Sequence, residues 1–194
     1  MRPARRVEPG ASRAIRLSST KPALIMLAHN RDLPGWTSRQ RPMCLSDLLF
    51  ESGACLVHLA RKSDVLMPRS ARGEAETLQW VIAALNSIEM VSVPWWFLGL
   101  SGNSENGLSA WLDSRLSHVE AILREREWLV EDRFTAADLI MADVLRVPAV
   151  RARGDRPASE AYVQRLVARP AFKKAHADQL AHFAAADESR GRHA

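Results

Sequence analysis

The chain has 194 residues, of which 47% are hydrophobic and 25% charged, a mixture typical of one globular domain or two small ones. No uninterrupted apolar run approaches the roughly 18 residues of a membrane helix. The two cysteines, Cys44 and Cys55, show neither a zinc-ligand spacing nor the pattern of a disulfide framework. Composition therefore predicts a soluble, cytoplasmic protein without a metal site.

The net charge of +5 is concentrated at one end of the chain. Residues 1–47 contain nine Lys or Arg and three Asp or Glu, whereas the remaining residues sum to −1. Three interpretations of this basic segment are open: an arm for nucleic acid, an Arg-rich targeting presequence over residues 1–20, or a poorly ordered arm. The poorly ordered arm is favoured because no aromatic interleaving or binding motif accompanies the charge. Neither nucleic acid nor a membrane is expected as a partner.

The first predicted helix begins only after residue 46. Before it, seven Pro and Gly residues leave no room for a long helix, and the apolar run at residues 23–28 fits a strand or a helical turn equally well. From Leu48 the pattern changes. Glu51 and Ser52 precede an apolar stretch that ends at Arg61, which predicts a helix of about ten residues closed by Pro68.

The remaining sequence predicts about five helices joined by short loops, an all-α bundle over residues 74–183. Pro94 is expected to end the first of these helices. In the second, Trp111 is expected in the buried stripe and Glu120 on the side facing water. The tail over residues 187–194 is polar and expected to be disordered. The predicted helices cover residues 74–90, 108–123, 135–147 and 159–168, and a last helix starts at Pro170.

Thr135 and Asp138 have the spacing of a helix-capping box, with Asp in place of the usual Glu. The Thr hydroxyl accepts from an exposed N–H of the first turn, and the acid reaches back to the N–H of the cap residue. The helix behind them is apolar around nearly its whole circumference, which is typical of a helix in the middle of a bundle. Both residues are therefore predicted to be structural rather than catalytic.

Four strings of this sequence, in this order and spacing, resemble the glutathione S-transferase superfamily and its bacterial members in particular. The resemblance covers about residues 48–183 and implies a mainly α chain. A glutathione transferase C-terminal bundle would occupy residues 69–186, and residues 48–68 would end an incomplete thioredoxin-like domain whose preceding part, residues 1–47, is divergent. The strings are residues 50–54 (FESGA), 66–68 (LMP), 134–138 (FTAAD) and 169–172 (RPAF).

The resemblance implies an enzyme that conjugates or reduces small electrophiles with glutathione as co-substrate, and that forms a homodimer. A non-catalytic binding module or an inactive family member stays open as the alternative. Glu51 and Ser52 would hold the γ-glutamyl end of glutathione. Their chemistry fits, since the carboxylate can pair with the α-ammonium while the hydroxyl and a helix N-terminus hold the α-carboxylate.

Trp95, Trp96 and Phe97 follow Pro94 and are candidates for a pocket that takes the apolar second substrate. Core packing or a dimer contact is the open alternative for the three aromatic side chains. His58 and Cys55, both within the first apolar stretch, are expected to be packing residues rather than a base or a nucleophile.

The residue that would activate the glutathione thiol cannot be assigned. Family members place a Val-Pro dipeptide about a dozen residues before the Glu-Ser pair and a Ser, Tyr or Cys at an earlier helix. No Val-Pro occurs in that interval here, and Ser12, Ser18, Ser19 and Thr20 qualify only as hydroxyls. Two explanations are open: a divergent N-terminal segment, or a wrong reading frame or start site upstream of Leu48. The abrupt change in pattern favours the second.

Overall fold

The structure is a computed structural model that describes residues 51–102 and 105–191, without the side chains of residues 186 and 188–191. In these ranges the elements are helices, apart from one isolated β-bridge between Val130 and Arg133. This confirms the mainly α prediction. The expectations that fall on residues 1–50, including the thioredoxin-like segment, the candidate hydroxyls and Cys44, lie outside the described residues.

The helices over residues 52–60, 109–123 and 157–167 lie within two residues of their predicted limits. The segment from residue 71 to 99 is one continuous helix, called here the long helix. In chain order the described elements are α1 Ser52–Ala60, α2 Ala71–Ala83, a π-helical segment Ala84–Glu89, α3 Met90–Gly99, α4 Ser109–Leu123, α5 Ala136–Leu145, α6 Pro148–Arg151, α7 Pro157–Val167 and α8 Pro170–Gly191.

The core of the bundle is formed by the long helix, α4, α5 and α7, with α5 at its centre. Nine of the ten residues of α5 are buried, so its central position is confirmed. A helix that is apolar around its whole circumference lies at the centre of a bundle because each of its faces is stabilised by packing against an apolar neighbour. α1 packs against α2 and α5 at the side of this core.

Pro94 does not end the first bundle helix, and that prediction is wrong. It lies inside α3, the helix that directly follows the π-helical segment Ala84–Glu89. A proline in a helix removes one donor, here the bond to the carbonyl of Met90. The missing bond falls close to the junction where the wider π-helical turn gives way to regular α-helical bonding, so the break is confined to one hydrogen bond.

Two residues of α4 lie on the opposite side from the one expected. Trp111 is 43% exposed, whereas Glu120 is only 4% exposed. The buried face of α4 is narrower than the face on which its apolar residues lie in the sequence. Trp111 falls outside the buried face because it lies about 100° around the helix from the buried Leu112. Glu120 is buried because α7 packs on that side of α4 and supplies hydrogen-bond donors to its carboxylate.

The long helix has 29 residues and is long and apolar enough to cross a membrane by length and composition alone, because an 18-residue window within it has a mean hydropathy of 1.4. A third of that apolar stretch is buried inside the bundle, and core helices of soluble proteins pass the same test. No uninterrupted apolar run was expected, and indeed polar residues such as Asn86 and Glu89 interrupt it. At the end of the chain, α8 continues to Gly191, within the tail that was expected to be disordered.

Candidate functional site

Glu51 and Ser52 form the beginning of α1. Glu51 has φ 70° and ψ 128°, and no side chain caps this helix end among the described residues. The only other non-glycine residues with positive φ in the described ranges, Glu131 and Asp132, have φ of 47° and 48° and form the tight turn beside the β-bridge. Strained backbone outside such a turn is typical of ligand-binding positions. The first-turn N–H groups of α1 are thus free of side-chain acceptors in the described part of the chain.

α1 packs against the long helix in an antiparallel arrangement. Near one end of the pair, Arg61 forms an ion pair with Glu74 at 3.1 Å. At the other, the backbone of Gly53 approaches so closely that a Cβ there would lie 2.6 Å from Cδ1 of Leu85. A larger residue at this position would require the Leu85 side chain to shift, and the close approach places the N-terminus of α1 beside the π-helical segment.

One further acid, Glu89, is close enough to this helix end to be affected by the charge of Glu51, and Asp143 in turn affects Glu89. Glu89, the last residue of the π-helical segment, is half-buried; burial, and then the charges of Asp143 and Glu51, raise the pKa of Glu89. The Asp143 side chain on α5 is 5% exposed and pairs with Arg146 at 2.7 Å. Burial raises the pKa of Asp143, against the opposing effect of Arg146 and of His176. Sequence reasoning missed both acids, because each is a single acidic residue in an apolar helix.

The capping box of α5 is present, as predicted, and is the centre of a larger network. The carboxylate of Asp138 accepts hydrogen bonds from the N–H and the hydroxyl of Thr135, at 2.8 and 3.0 Å. It also accepts from the N–H of Leu129 and the hydroxyl of Tyr162, both at 2.9 Å. Burial nevertheless raises the pKa of Asp138. Because all these groups are buried and satisfied, the network is structural.

The three consecutive aromatic side chains do not share one environment, although the rings of Trp96 and Phe97 contact each other edge to face with centroids 5.0 Å apart. Trp95 is buried, and its indole N–H donates to the hydroxyl of Ser109 at 3.1 Å. The guanidinium of Arg153 lies over its ring at 5.0 Å from the centroid. Trp96 is half-buried, and Phe97 is 56% exposed. The structure thus places Trp95 in the core and Phe97 on the surface.

Two clefts are present elsewhere in the described part of the chain. One, of about 480 Å³, lies between α4, α6 and α7, and the other, of about 400 Å³, lies between α7 and α8. Neither is lined by Glu51, Ser52 or the three aromatic residues. His58 is exposed on α1 and Cys55 is half-buried there. No group of three or more potential metal ligands converges within residues 51–102 and 105–191.

The comparisons with known proteins concern the helical bundle. Residues 109–170 match the family model described as the glutathione S-transferase C-terminal domain. Among solved structures, a glutathione transferase from Burkholderia graminis with two glutathione molecules bound per subunit is 29% identical, with a TM-score of 0.56. That match covers 66% of this chain and 59% of the Burkholderia chain. No curated protein sequence matches the chain.

Two more distant structures share the fold. Ure2p5 from Phanerochaete chrysosporium, cocrystallised with 1-(S-glutathionyl)-2,4-dinitrobenzene, is 19% identical with a TM-score of 0.59, covering 70% of both chains. Glutathione S-transferase 1-6 from Anopheles dirus species B is 18% identical with a TM-score of 0.62, covering 76% of this chain and 74% of its own. The bundle of α-helices is therefore that of glutathione S-transferases.

Proposed function

We propose that the chain, whose residues 109–170 match the glutathione S-transferase C-terminal domain, belongs to that superfamily, binds glutathione, and conjugates or reduces small electrophiles with it. The proposal is carried by the N-terminus of α1. There a strained Glu51 precedes Ser52 at a helix end that no side chain caps among the described residues.

The γ-glutamyl group of glutathione carries an α-ammonium and an α-carboxylate on one carbon. The α-carboxylate would accept from the first-turn N–H groups of α1 and from the hydroxyl of Ser52, assisted by the helix dipole. The α-ammonium would pair with Glu51. In the conjugation, the glutathione thiolate forms a sulfur–carbon bond with the electrophile while a leaving group departs with its electron pair, and the thiol proton goes to solvent. The group that stabilises the thiolate is unassigned.

Calorimetry with glutathione and an assay with a chlorinated aromatic acceptor test the proposal. We expect the full chain to bind glutathione and to release chloride as the thioether forms. Ser52→Ala should weaken glutathione binding about tenfold, because it removes a hydrogen bond to a charged group. The matched control Ser114→Ala, at an exposed position of α4, should bind as the wild type does.

The outcomes separate the possible functions. Binding with turnover supports the enzyme, and binding without turnover selects the non-catalytic module. If glutathione produces neither heat nor a thermal shift, the proposed function is wrong.

We also propose that the chain forms a homodimer in the cytoplasm. Support comes from an apolar stripe on α3, whose members are spaced three and four residues apart and so share one face. The exposed fractions of these residues are 52% for Met90, 44% for Val93, 56% for Phe97 and 50% for Leu100. Contiguous exposed apolar surface of this kind commonly marks an interface. Sedimentation should show a dimer that Phe97→Asp dissociates, and a wild-type monomer at micromolar concentration would contradict the proposal.

A further inference from the structure

The cleft between α7 and α8 has a volume of about 400 Å³, which is in the range of pockets that hold a small organic molecule. Its α7 wall is apolar, formed by the buried Val163 and, one turn further along, the half-buried Val167. Side chains of α8 that are three and four positions apart form the other wall. These side chains are Phe172, Lys173, His176, Ala177 and Leu180. The cleft therefore presents apolar surface to an organic ligand.

The charge around this cleft has one sign. Among the residues that line it in the described part of the chain, four are basic and none is acidic. Arg146 and Arg151 lie at the C-terminal ends of α5 and α6, and Lys173 and His176 lie on α8. The chain thus brings basic groups from three helices to one apolar cleft, which suits a ligand with an anionic head and an apolar body.

Several donors of these basic side chains are left for a ligand. Arg146 gives Nε to Asp143 at 2.7 Å, and its two Nη groups form no hydrogen bond within the described residues. Arg151 gives Nε and Nη2 to Glu160, which leaves its Nη1. Lys173 is exposed and enters no ion pair in the described ranges. The two acids near the cleft therefore do not exhaust its donors.

Two of the basic groups are positioned by one aromatic ring. The guanidinium of Arg146 lies 5.4 Å from the centroid of the Phe172 ring. The imidazole of His176 is stacked on the same ring, with centroids 5.7 Å apart and an angle of 13° between the planes. These contacts hold both groups beside the cleft before a ligand arrives, so that less conformational entropy is lost on binding.

We propose that this cleft binds a small organic phosphate monoester, with the phosphate among the four basic side chains and the organic body against Val163, Val167 and Leu180. A phosphate monoester carries nearly two negative charges at pH 7 and three acceptor oxygens, which suits this set of donors better than a carboxylate does. Arginine binds phosphate through paired N–H groups and lysine through its point charge. The proposal does not depend on glutathione binding.

Calorimetry at pH 7 with the full chain tests the proposal, with phenyl phosphate as the probe. Inorganic phosphate should bind at least about tenfold more weakly, because it lacks the apolar body. Benzoate should also bind more weakly, because it has one charge and two oxygens. Lys173→Gln should lose about tenfold for phenyl phosphate. The matched control is Lys174→Gln, an exposed neighbour outside the cleft that pairs with Asp178 at 2.6 Å, and it should stay within about twofold of the wild type.

A chemical-shift map of bound phenyl phosphate locates the ligand, and the changes should fall on the residues that line this cleft. Saturating glutathione should leave the affinity for phenyl phosphate unchanged. Absence of binding at about 10 mM phenyl phosphate would overturn the proposal, and so would benzoate that binds as tightly. An equal loss in both lysine variants would show general attraction to a basic surface instead of a site. If the wild type binds phenyl phosphate but not glutathione, only the proposed function is wrong.

Discussion

Replacing Glu120 by alanine tests whether a buried carboxylate joins α4 to α7. Oε2 of Glu120 accepts from the N–H and the hydroxyl of Ser159, both at 2.8 Å, and Oε1 accepts from the N–H of Ala158 at 3.1 Å. Both N–H groups belong to the first turn of α7, which has no side-chain cap of its own at Arg156. Glu120 therefore serves as the cap of a helix that begins 37 residues later in the chain.

The alanine variant leaves four donors without their acceptor; exposed Arg124 can turn to solvent, whereas each of the other three costs up to about 1–3 kcal/mol when it stays buried and unsatisfied. Part of this loss is offset because the variant no longer buries a charge, so we expect a net loss of about 3 kcal/mol. For a chain of this size that corresponds to a drop in melting temperature of about 6–12 °C. Glu120→Gln, which keeps one acceptor oxygen, should lose about half as much.

Urea unfolding followed by circular dichroism at pH 7 measures this loss, with Glu125→Ala as an exposed control expected to stay within about 0.5 kcal/mol of the wild type. Burial opposes ionisation of Glu120, but the hydrogen bonds from Ser159, Ala158 and Arg124 prevail and lower its pKa below the ordinary 4.5. Its stabilisation is therefore present above pH 4.5 and lost as the pH falls through the lowered pKa. A loss below about 1 kcal/mol at pH 7 would refute this role for Glu120.

Two other buried acids give predictions of different kinds. Asp138→Ala removes the acceptor of four buried hydrogen bonds and should cost at least about 3 kcal/mol in thermal or urea unfolding, whereas glutathione affinity measured below the melting temperature should not change. Asp143→Asn should flatten the dependence of stability on pH. Because burial raises the pKa of Asp143, the folded state binds its proton more tightly, so wild-type stability falls as the pH rises from 3.8 through the raised pKa. If the melting temperatures of the wild type and of Asp143→Asn change with pH in the same way between about pH 3.5 and 7, Asp143 is not the cause of the pH dependence.

The sequence was sufficient to predict contacts wherever the interacting residues are close along the chain. The capping box could be predicted because Thr135 and Asp138 are three residues apart and the hydrogen bonds follow from helix geometry. Glu120 could not, because its donors lie on a helix 38 residues away, and a single acid beside an apolar stripe is usually solvated. Its only signal was its position between Leu116 and Leu123, at the edge of the buried face.

The aromatic residues after Pro94 show how one wrong assignment affects the site. With the helix ended at Pro94, Trp95, Trp96 and Phe97 would lie on a loop and could line one pocket. Inside a continuous helix, consecutive side chains are turned by about 100° from one another, so they face different surroundings. Accordingly, Trp95 lies in the core and Phe97 lies on the surface.

Two unfavourable features occur together at the beginning of α1, which is typical of a binding site. They are the strained Glu51 and a helix end that no side chain caps among the described residues. The capping box at Thr135 and the cap at Glu120, in contrast, are fully hydrogen-bonded. Strain that a protein keeps at a binding site lowers its stability in favour of binding.

Glu51→Gly tests whether backbone strain at this residue lowers stability while its side chain favours glutathione binding. Glycine adopts φ 70° without strain, which relieves about 1–3 kcal/mol, while its greater freedom in the unfolded chain costs about 0.5–1 kcal/mol. The variant should therefore be about 1 kcal/mol more stable in urea unfolding and yet bind glutathione more weakly, because a carboxylate is lost. Glu131→Gly, at φ 47° in the tight turn, is the matched control and should leave binding unchanged. If Glu51→Gly is destabilised by more than about 1 kcal/mol, the positive φ is not a source of strain and the side chain of Glu51 serves the fold rather than the ligand.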